Sequence, residues 1–422
     1  MSSGKIGIDF GTSNSAAAIA QGGEVTLIEL EGNNVTIPTA VFFNVEENRT
    51  VFGRTAINEY LEGYSGRLMR SLKSILGTDL IKESTQVGYD RVNFSDVIGM
   101  FLRHIKSTCE DKVQEELNDV VLGRPVFFVD DNPEADKRAE NELKKAAMKE
   151  GFRSVFFEYE PIAAARDYES TLTKEELVLV ADIGGGTSDF SLIRLSPANR
   201  SKDDRKADIL ANSGVHIGGT DIDRKFSLKS IMPDMGYKSK LIGGLDMPVS
   251  PYHTLATWHL INTLYTPKNK AFLRGLYRQS ASKSTVDRLI AVVGSHRGHE
   301  LAGVVEAAKI SLSESGTTSL DLDFVEKGWV LNLTSLDLKE AAKAEIDKIV
   351  DVAKKTVTHA GGIDTSDIHT VFMTGGSTGL PGFYEAMQRA FPEAVLVRGD
   401  KFSSVAKGLG ISAMHRHGEN SA

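Results

Sequence analysis

The sequence predicts an α/β protein of two duplicated lobes that face each other, each a mixed sheet flanked by helices. Two observations carry that reading. After an opening meander, strands and helices alternate along the chain, and this order implies parallel pairing. The second observation is an echo. Asp9-Phe10-Gly11-Thr12-Ser13-Asn14-Ser15 returns as Asp182-Ile183-Gly184-Gly185-Gly186-Thr187-Ser188. A separation of about 175 residues is too long for a solenoid repeat and suits a duplication. Length agrees, since 422 residues exceed what one hydrophobic core serves.

Composition removes several classes. Apolar content of 41% and charged content of 25% are those of a globular protein. The 57 acidic residues outnumber the 49 basic ones, giving a net charge of −8 that offers nothing to nucleic acid or a membrane surface. One cysteine, Cys109, excludes an intrachain disulfide framework and lies in an apolar helical pattern, as a packed thiol does. No signal peptide opens the chain and no run of about 18 apolar residues occurs, so a cytoplasmic protein is expected.

The elements follow in order. Lys5 to Ile19 reads as strand, tight turn and returning strand, with Ile6 and Ile8 alternating with Gly7. Strands at Glu24–Leu30 and Thr39–Val45 complete a meander, and Gly53 leads into a short helix through Tyr60. Arg67, Arg70 and Lys73 then line an apolar stripe, and by themselves read as a solvated face. Val97, Ile98, Phe101, Leu102, Ile105, Cys109, Val113 and Leu117 predict one long helix over 95–122, with a strand at Pro125–Val129 after it. Asn132 is placed to cap the next helix, with Pro133 first in it and Gly151 just past its end. A strand at Val155–Phe157 puts Glu160 at a strand-to-helix turn, with Pro161 starting the helix.

The second half begins with the echo: a strand over Leu177–Ala181, the glycine turn, and a returning strand over Phe190–Leu195. Arg200–Lys206 is a charged hairpin turn, Ile209–Val215 a strand, and His216-Ile217-Gly218-Gly219-Thr220-Asp221-Ile222-Asp223 opens a helix. Residues 225–300 read as mostly helical, with a loop at Gly243-Gly244 and Pro248–Pro251. Their histidines, His253, His259, His296 and His299, lack metal-ligand spacing and are read as structural. A helix over Glu300–Ser313, a hairpin of Ser319–Phe324 with Trp329–Leu333, and a helix to His359 boxed by Thr334 and Asp337 come next. Thr370–Met373 is a strand leading to a third glycine turn, Thr374-Gly375-Gly376-Ser377-Thr378-Gly379, then a helix at Pro381, a strand at Val395–Val397 and a last helix at Val405–Met414.

Chemistry enters at the turns. Gly11 to Asn14 are small or hydroxylated, so their backbone N–H groups can approach an anion closely. A carboxylate beside such a turn suits a metal-bound phosphate, with Asp9 holding the cation directly or through water. On that stretch alone, a phosphate turn and a plain N-terminal hairpin are equally good readings.

Taken together, the three turns and their order resemble the actin-like ATPase superfamily, and within it the DnaK-type heat-shock chaperones. The opening Ile8 to Ser15 resembles the first phosphate motif of that family, Asp182 to Asp189 the second, and Thr374 to Ser377 the adenosine motif. Glu158 to Ala165 is similar to the segment bearing the family's catalytic glutamate, and His216 to Asp223 to its glycine pair before a helix. The resemblance covers nearly the whole chain and is weakest over 225–300. It implies an actin-like fold of duplicated ribonuclease-H-like domains with the nucleotide in the interlobe cleft. The lobes would be 1–178 and 179–380, the latter with a helical subdomain over about 225–315. Residues 381–422 would complete lobe II and pack back on lobe I.

Roles carry over by position. Asp9 and Asp182 would hold hydrated Mg²⁺, with K⁺ a second candidate ion. The backbones of Gly11, Thr12, Ser13 and Asn14, and of Gly184, Gly185, Gly186 and Thr187, would cradle the β- and γ-phosphates of ATP or ADP. Thr12 and Thr187 would donate hydroxyl hydrogen bonds. Lys73 matches the family's lysine beside the γ-phosphate, and Glu160 would orient or deprotonate the attacking water. Asp189 would support the second turn. Gly218 and Gly219 would lie on the ribose side. Glu306, Lys309 and Ser313 match ribose and adenine contacts, and Gly375, Gly376 and Ser377 the wall over the nucleoside.

There are departures. Ile310 and Gly379 stand where the family has arginines stacked on adenine, each worth about 1 kcal/mol of stacking. Phe402 replaces an acidic residue, and Thr220 a glutamate. The phosphate end is intact by this reading and the base end altered. A further expectation is that the chain, ending at 422, carries no built-in peptide-binding domain and acts on a protein partner or co-chaperone. The leading expectation is a Mg-dependent ATPase switch with chaperone-like output. The alternatives are a small-molecule kinase of the sugar-kinase branch, an actin-like filament former, and a nucleotide-binding pseudoenzyme.

Overall fold

The structure, a computed structural model, describes residues 4–129, 132–200, 202, 204–399 and 403–416. Two compact units emerge. The first comprises Met1–Val215, Val352–Gly376 and Phe391–Ala422, the second His216–Asp351 and Ser377–Ala390.

The chain opens with Lys5–Phe10 (β1), Asn14–Gln21 (β2), Glu24–Leu27 (β3), Thr36–Pro38 (β4), Ala40–Asn44 (β5) and Arg49–Phe52 (β6). Gly53–Glu62 (α1), Gly66–Arg70 (β7), Ser84–Val87 (β8), Asp90–Asn93 (β9) and Phe94–Val113 (α2) follow. Asp119–Arg124 (β10), Pro133–Lys149 (α3), Ser154–Tyr159 (β11) and Glu160–Thr171 (α4) then alternate. Glu176–Ile183 (β12), Ser188–Leu195 (β13) and Ile209–Val215 (β14) come next. The second unit holds Gly219–Ser230 (α5), Ser250–Leu255 (α6), Pro267–Gln279 (α7), Lys283–Gly294 (α8) and Gly298–Ser315 (α9). It also holds the hairpin Thr317–Asp321 (β15) with Val330–Thr334 (β16), and most of Ser335–His359 (α10). Thr370–Thr374 (β17) returns to the first unit, Phe383–Ala390 (α11) lies in the second, and Val395–Arg398 (β18) and Ser404–His415 (α12) close the first.

The echo in sequence is an echo in topology. One sheet of the first unit runs β11-β10-β1-β2-β3, with β4 also paired to β2. The other runs β14-β13-β12-β17-β18. In each, the strand before a glycine turn pairs antiparallel with the strand after it, and parallel with a strand that arrives after a helical excursion. Both sheets are therefore mixed and flanked by helices, consistent with the two-lobed actin-like ATPase fold.

Period-two alternation decides what packs where. Ile6, Ile8 and Phe10 of β1 face a core shared with Val97, Phe101 and Ile105 of α2 and Leu143 of α3. Gly7 points the other way, where α12 crosses. A Cβ there would lie 2.3 Å from the Gly410 nitrogen. Gly408 is as tight, its absent Cβ 1.8 Å from the Ala163 carbonyl of α4. Small residues thus let α12 and α4 come together against both sheets, in a core of Ile162, Ala164, Val178, Val180, Phe372 and Leu409.

Three expectations need correction. The predicted helix over 95–122 ends at Val113, and the following strand is Asp119–Arg124 rather than Pro125–Val129. Gln114 takes a left-handed backbone (φ 56) and ends the helix. Leu117 and Val120 continue the apolar spacing, so periodicity cannot mark that break. Val120, Val121 and Leu122 are all buried, as a parallel strand covered on both faces requires. Pro125 has no N–H to give a ladder, and Phe127 is half exposed. The strand expected over Thr39–Val45 does not complete the opening meander either: β5 pairs with β6 and β7 in a separate three-stranded sheet, and the β8–β9 hairpin was not expected at all. The remaining predicted elements lie within a few residues of where the sequence puts them. Asn132 does cap α3, its side chain accepting from the Ala135 N–H at 3.0 Å. Thr334 and Asp337 box the start of α10, the Asp337 carboxylate accepting from the Thr334 N–H at 2.8 Å. Cys109 is buried, and burial pushes its thiol up to about 12.

Candidate functional site

The first glycine turn sits between β1 and β2 and is pinned from behind. Thr39 donates its hydroxyl to the Gly11 carbonyl at 2.8 Å and its N–H to the Ser13 carbonyl at 2.9 Å. Its hydroxyl also meets that of Ser15 at 2.9 Å. Thr39 is fully buried, and the sequence marks it only as the start of a strand. Gly11 is required by its own turn, since a Cβ would lie 2.2 Å from the Asn14 carbonyl.

The second turn sits between β12 and β13. Asp182 pairs across the ladder with Asp189, which accepts the Thr187 hydroxyl at 2.9 Å. The hydroxyl expected to meet phosphate is thus donated to Asp189 here, a bond within the second turn. The two turns approach each other closely. A Cβ on Gly185 would lie 2.7 Å from the Ser13 hydroxyl. The third turn joins them, because Thr374 pairs with Asp182 and Gly375 (φ 91) follows. A Cβ on Gly375 would lie 2.6 Å from an Asp182 carboxylate oxygen.

Lys73 reaches this place by a backbone turn. Ser71 takes a left-handed conformation (φ 58) after β7, and Leu72–Ile75 forms one turn of 3-10 helix with Leu72 buried. The Lys73 ammonium meets the Glu160 carboxylate at 2.5 Å, and both side chains are largely buried. Glu160 is the first residue of α4, and its side chain lies over Gly123 of β10. A Cβ on Gly123 would sit 3.1 Å from the Glu160 Cγ, a role the sequence reading missed by leaving Gly123 between a helix ending at 122 and a strand starting at 125.

Electrostatics ties four of these groups together. The Asp9 carboxyl is pushed up to about 8, chiefly by burial, with Glu160 and Asp182 adding to the rise and Lys73 opposing it. Asp182 is pushed up to about 7 by burial first, then by Asp189 and Glu160. Lys73 goes up too: burial alone would lower it, but Glu160 and Asp9 outweigh that. Three carboxyl groups around one ammonium leave the place short of positive charge.

The residues expected at the nucleoside divide between the units. Gly375 and Gly376 belong to the first unit, beside Asp182. Gly218, Gly219, Glu306, Lys309, Ser313 and Ser377 belong to the second. There the Lys309 ammonium donates to Asp223 at 2.9 Å and to the Gly219 carbonyl at 3.3 Å, joining α9 to the start of α5. Asp221 accepts the Gly218 N–H at 3.2 Å. Burial raises Asp223 to about 6 against the pull of Lys309, with Glu306 adding to the rise. Ser313 donates to the Lys309 carbonyl at 2.8 Å. Ile310 is half exposed, Thr220 lies in α5, and Gly379 ends a short 3-10 turn. Phe402 lies outside the described residues.

A family model described as Hsp70 protein matches residues 5–236 and 293–421. The match takes in all three glycine turns, Lys73, Glu160, Glu306 and Lys309. It omits the middle of the helical stretch, where the sequence itself carries the weakest resemblance.

Proposed function

Since the chain belongs to the Hsp70 family, a family of ATP-binding chaperones, we propose that it binds and hydrolyses ATP, with nucleotide-driven lobe closure acting on a protein partner or co-chaperone. The observation that carries this reading is the convergence of Asp9, Lys73, Glu160 and Asp182 beside two glycine turns that nearly touch.

The backbone N–H groups of Gly11 to Asn14 and of Gly184 to Thr187 hold phosphate oxygens in this reading. Lys73 offsets charge on the transferring phosphoryl group. Glu160, fixed by Lys73, takes the proton of the attacking water. Mg²⁺ fits the donor chemistry, three carboxylates against one ammonium. Among the described residues no three Asp, Glu, His or Cys side chains stand close enough to hold an ion directly, so Asp9 and Asp182 would hold it through water. When bound it neutralises phosphate charge. K⁺ is the second candidate.

The nucleoside roles of Gly218, Gly219, Glu306, Lys309, Ser313, Gly375, Gly376 and Ser377 rest on the resemblance. So does the division into 1–178, 179–380 and 381–422, which the packing of α12 on β1, β2 and β10 supports. We read the protein as cytoplasmic. Among the described residues no helix is long and apolar enough to cross a membrane.

Equilibrium titration with Mg-ATP and a phosphate-release assay on purified protein test the proposal. Binding with release supports it, and Asp182→Asn should abolish the release. Neither binding nor release overturns it.

A further inference from the structure

Glu160 and the second glycine turn come from different elements, one from the β11–α4 junction and the other from the β12–β13 hairpin. Their relative position must be fixed by something other than the Lys73 pair. The Tyr159 position before α4 has no side-chain cap. In its place stands Glu158, the last residue but one of β11 and nearly fully buried. Its carboxylate accepts the Tyr159 N–H at 3.2 Å, the Arg166 guanidinium at 2.6 Å and the Ser412 hydroxyl at 3.2 Å. Arg166, also buried, lies on α4 itself and donates a second N–H to the Arg200 carbonyl at 3.0 Å.

Arg200 belongs to the loop joining β13 to β14, and the same loop grips the far end of α4. Arg200 donates to the Glu169 and Leu172 carbonyls at 3.0 and 2.6 Å. Arg205, without solvent exposure, binds both oxygens of Glu169 at 3.1 and 2.8 Å and pairs with Asp208. A chain of buried charge therefore joins the helix that begins at Glu160 to the hairpin that carries the second glycine turn. Buried ion pairs are poor sources of stability, because desolvation cancels most of the attraction. What they supply is a single geometry, since any slip leaves a buried charge unpaired.

We infer that Glu158 and Arg166 are a positioning pair: through the β13–β14 loop they fix α4 so that Glu160 meets Lys73 in register with the second glycine turn. The inference rests on the ATPase reading for its kinetic consequence but not for its structural one.

The double variant Glu158→Leu with Arg166→Leu removes both charges together, which spares the fold the cost of an orphaned ion. Two readings are taken. Single-turnover ATP hydrolysis should fall about tenfold to a hundredfold while ATP affinity changes less than about twofold, and Arg166→Lys should keep more of the rate than the double variant. In nucleotide-free protein, the Glu160 carboxyl ¹³C resonance should respond to Lys73→Met in the wild-type background and lose that response in the double variant. An unchanged rate together with an unchanged resonance response overturns the inference. If the wild-type protein hydrolyses no ATP, the ATPase reading fails and the resonance alone decides the positioning. Should the double variant not fold, Ser412→Ala removes one of the three bonds to Glu158. A shifted Glu160 resonance then supports the pair and an unshifted one overturns it.

Discussion

Asp9 is held in a state that the unfolded chain does not share. Its carboxyl rises from an ordinary 3.8 to about 8 because burial and two neighbouring carboxylates disfavour its charge. The folded protein therefore keeps a proton where the unfolded chain has released it. Asp9 contributes full stability below the unfolded value, and that contribution is lost as pH climbs toward the folded one. Asp182, raised to about 7, acts in the same direction. Asp9→Asn removes the loss. In nucleotide- and metal-free protein it should raise the Tm over wild type, by a margin that grows between about pH 5 and about pH 8.5. A margin that shrinks with pH contradicts the burial argument. At this scale much of the site was legible. Asp9, Lys73, Glu160 and Asp182 are readable because the proposed chemistry would fall to their side chains. Thr39 and Gly123 are not, because they act by pinning a turn and by leaving room, and neither leaves a periodic or compositional trace.

Elements are held by contacts of two kinds here. Helix α3 begins at an Asn132 cap, with the side chain accepting one of the backbone donors that no helix satisfies by itself. Asn132→Ala should cost about 1 kcal/mol, read as a lower chemical-denaturation midpoint with an unchanged slope. The crossing of α12 over α4 depends instead on absent side chains. With its missing Cβ 1.8 Å from the Ala163 carbonyl, Gly408 cannot accept even alanine without moving a helix. Gly408→Val should cost about 3 kcal/mol or more, and retained solubility with a wild-type Tm would refute the close crossing. Caps and glycine turns were visible in the sequence because they use particular residues at particular positions. The boundary at Gln114 was not. Leu117 and Val120 extend the apolar spacing of α2 by four residues and then three, so helix and buried strand share one pattern.

At the scale of the molecule, the duplication read from two seven-residue stretches is realised as two sheets of the same strand order. Each places its glycine turn after its own first strand, which is why both turns fall in one neighbourhood. Membership of the Hsp70 family follows from a match that takes in both turns and the third. The helical stretch of the second unit was the least legible. Its helices are short and irregular, with 3-10 turns at Met232–Met235 and Trp258–Tyr265, so its pattern fixes helix content but no site. We propose above all that Glu160, paired with Lys73 near Asp9 and Asp182, drives ATP hydrolysis. Single-turnover hydrolysis of Mg-ATP by wild type and by Glu160→Ala, with nucleotide affinity measured alongside, tests it most directly. Glu160→Ala should retain binding and lose about a hundredfold or more in rate. Equal rates in the two proteins would contradict it.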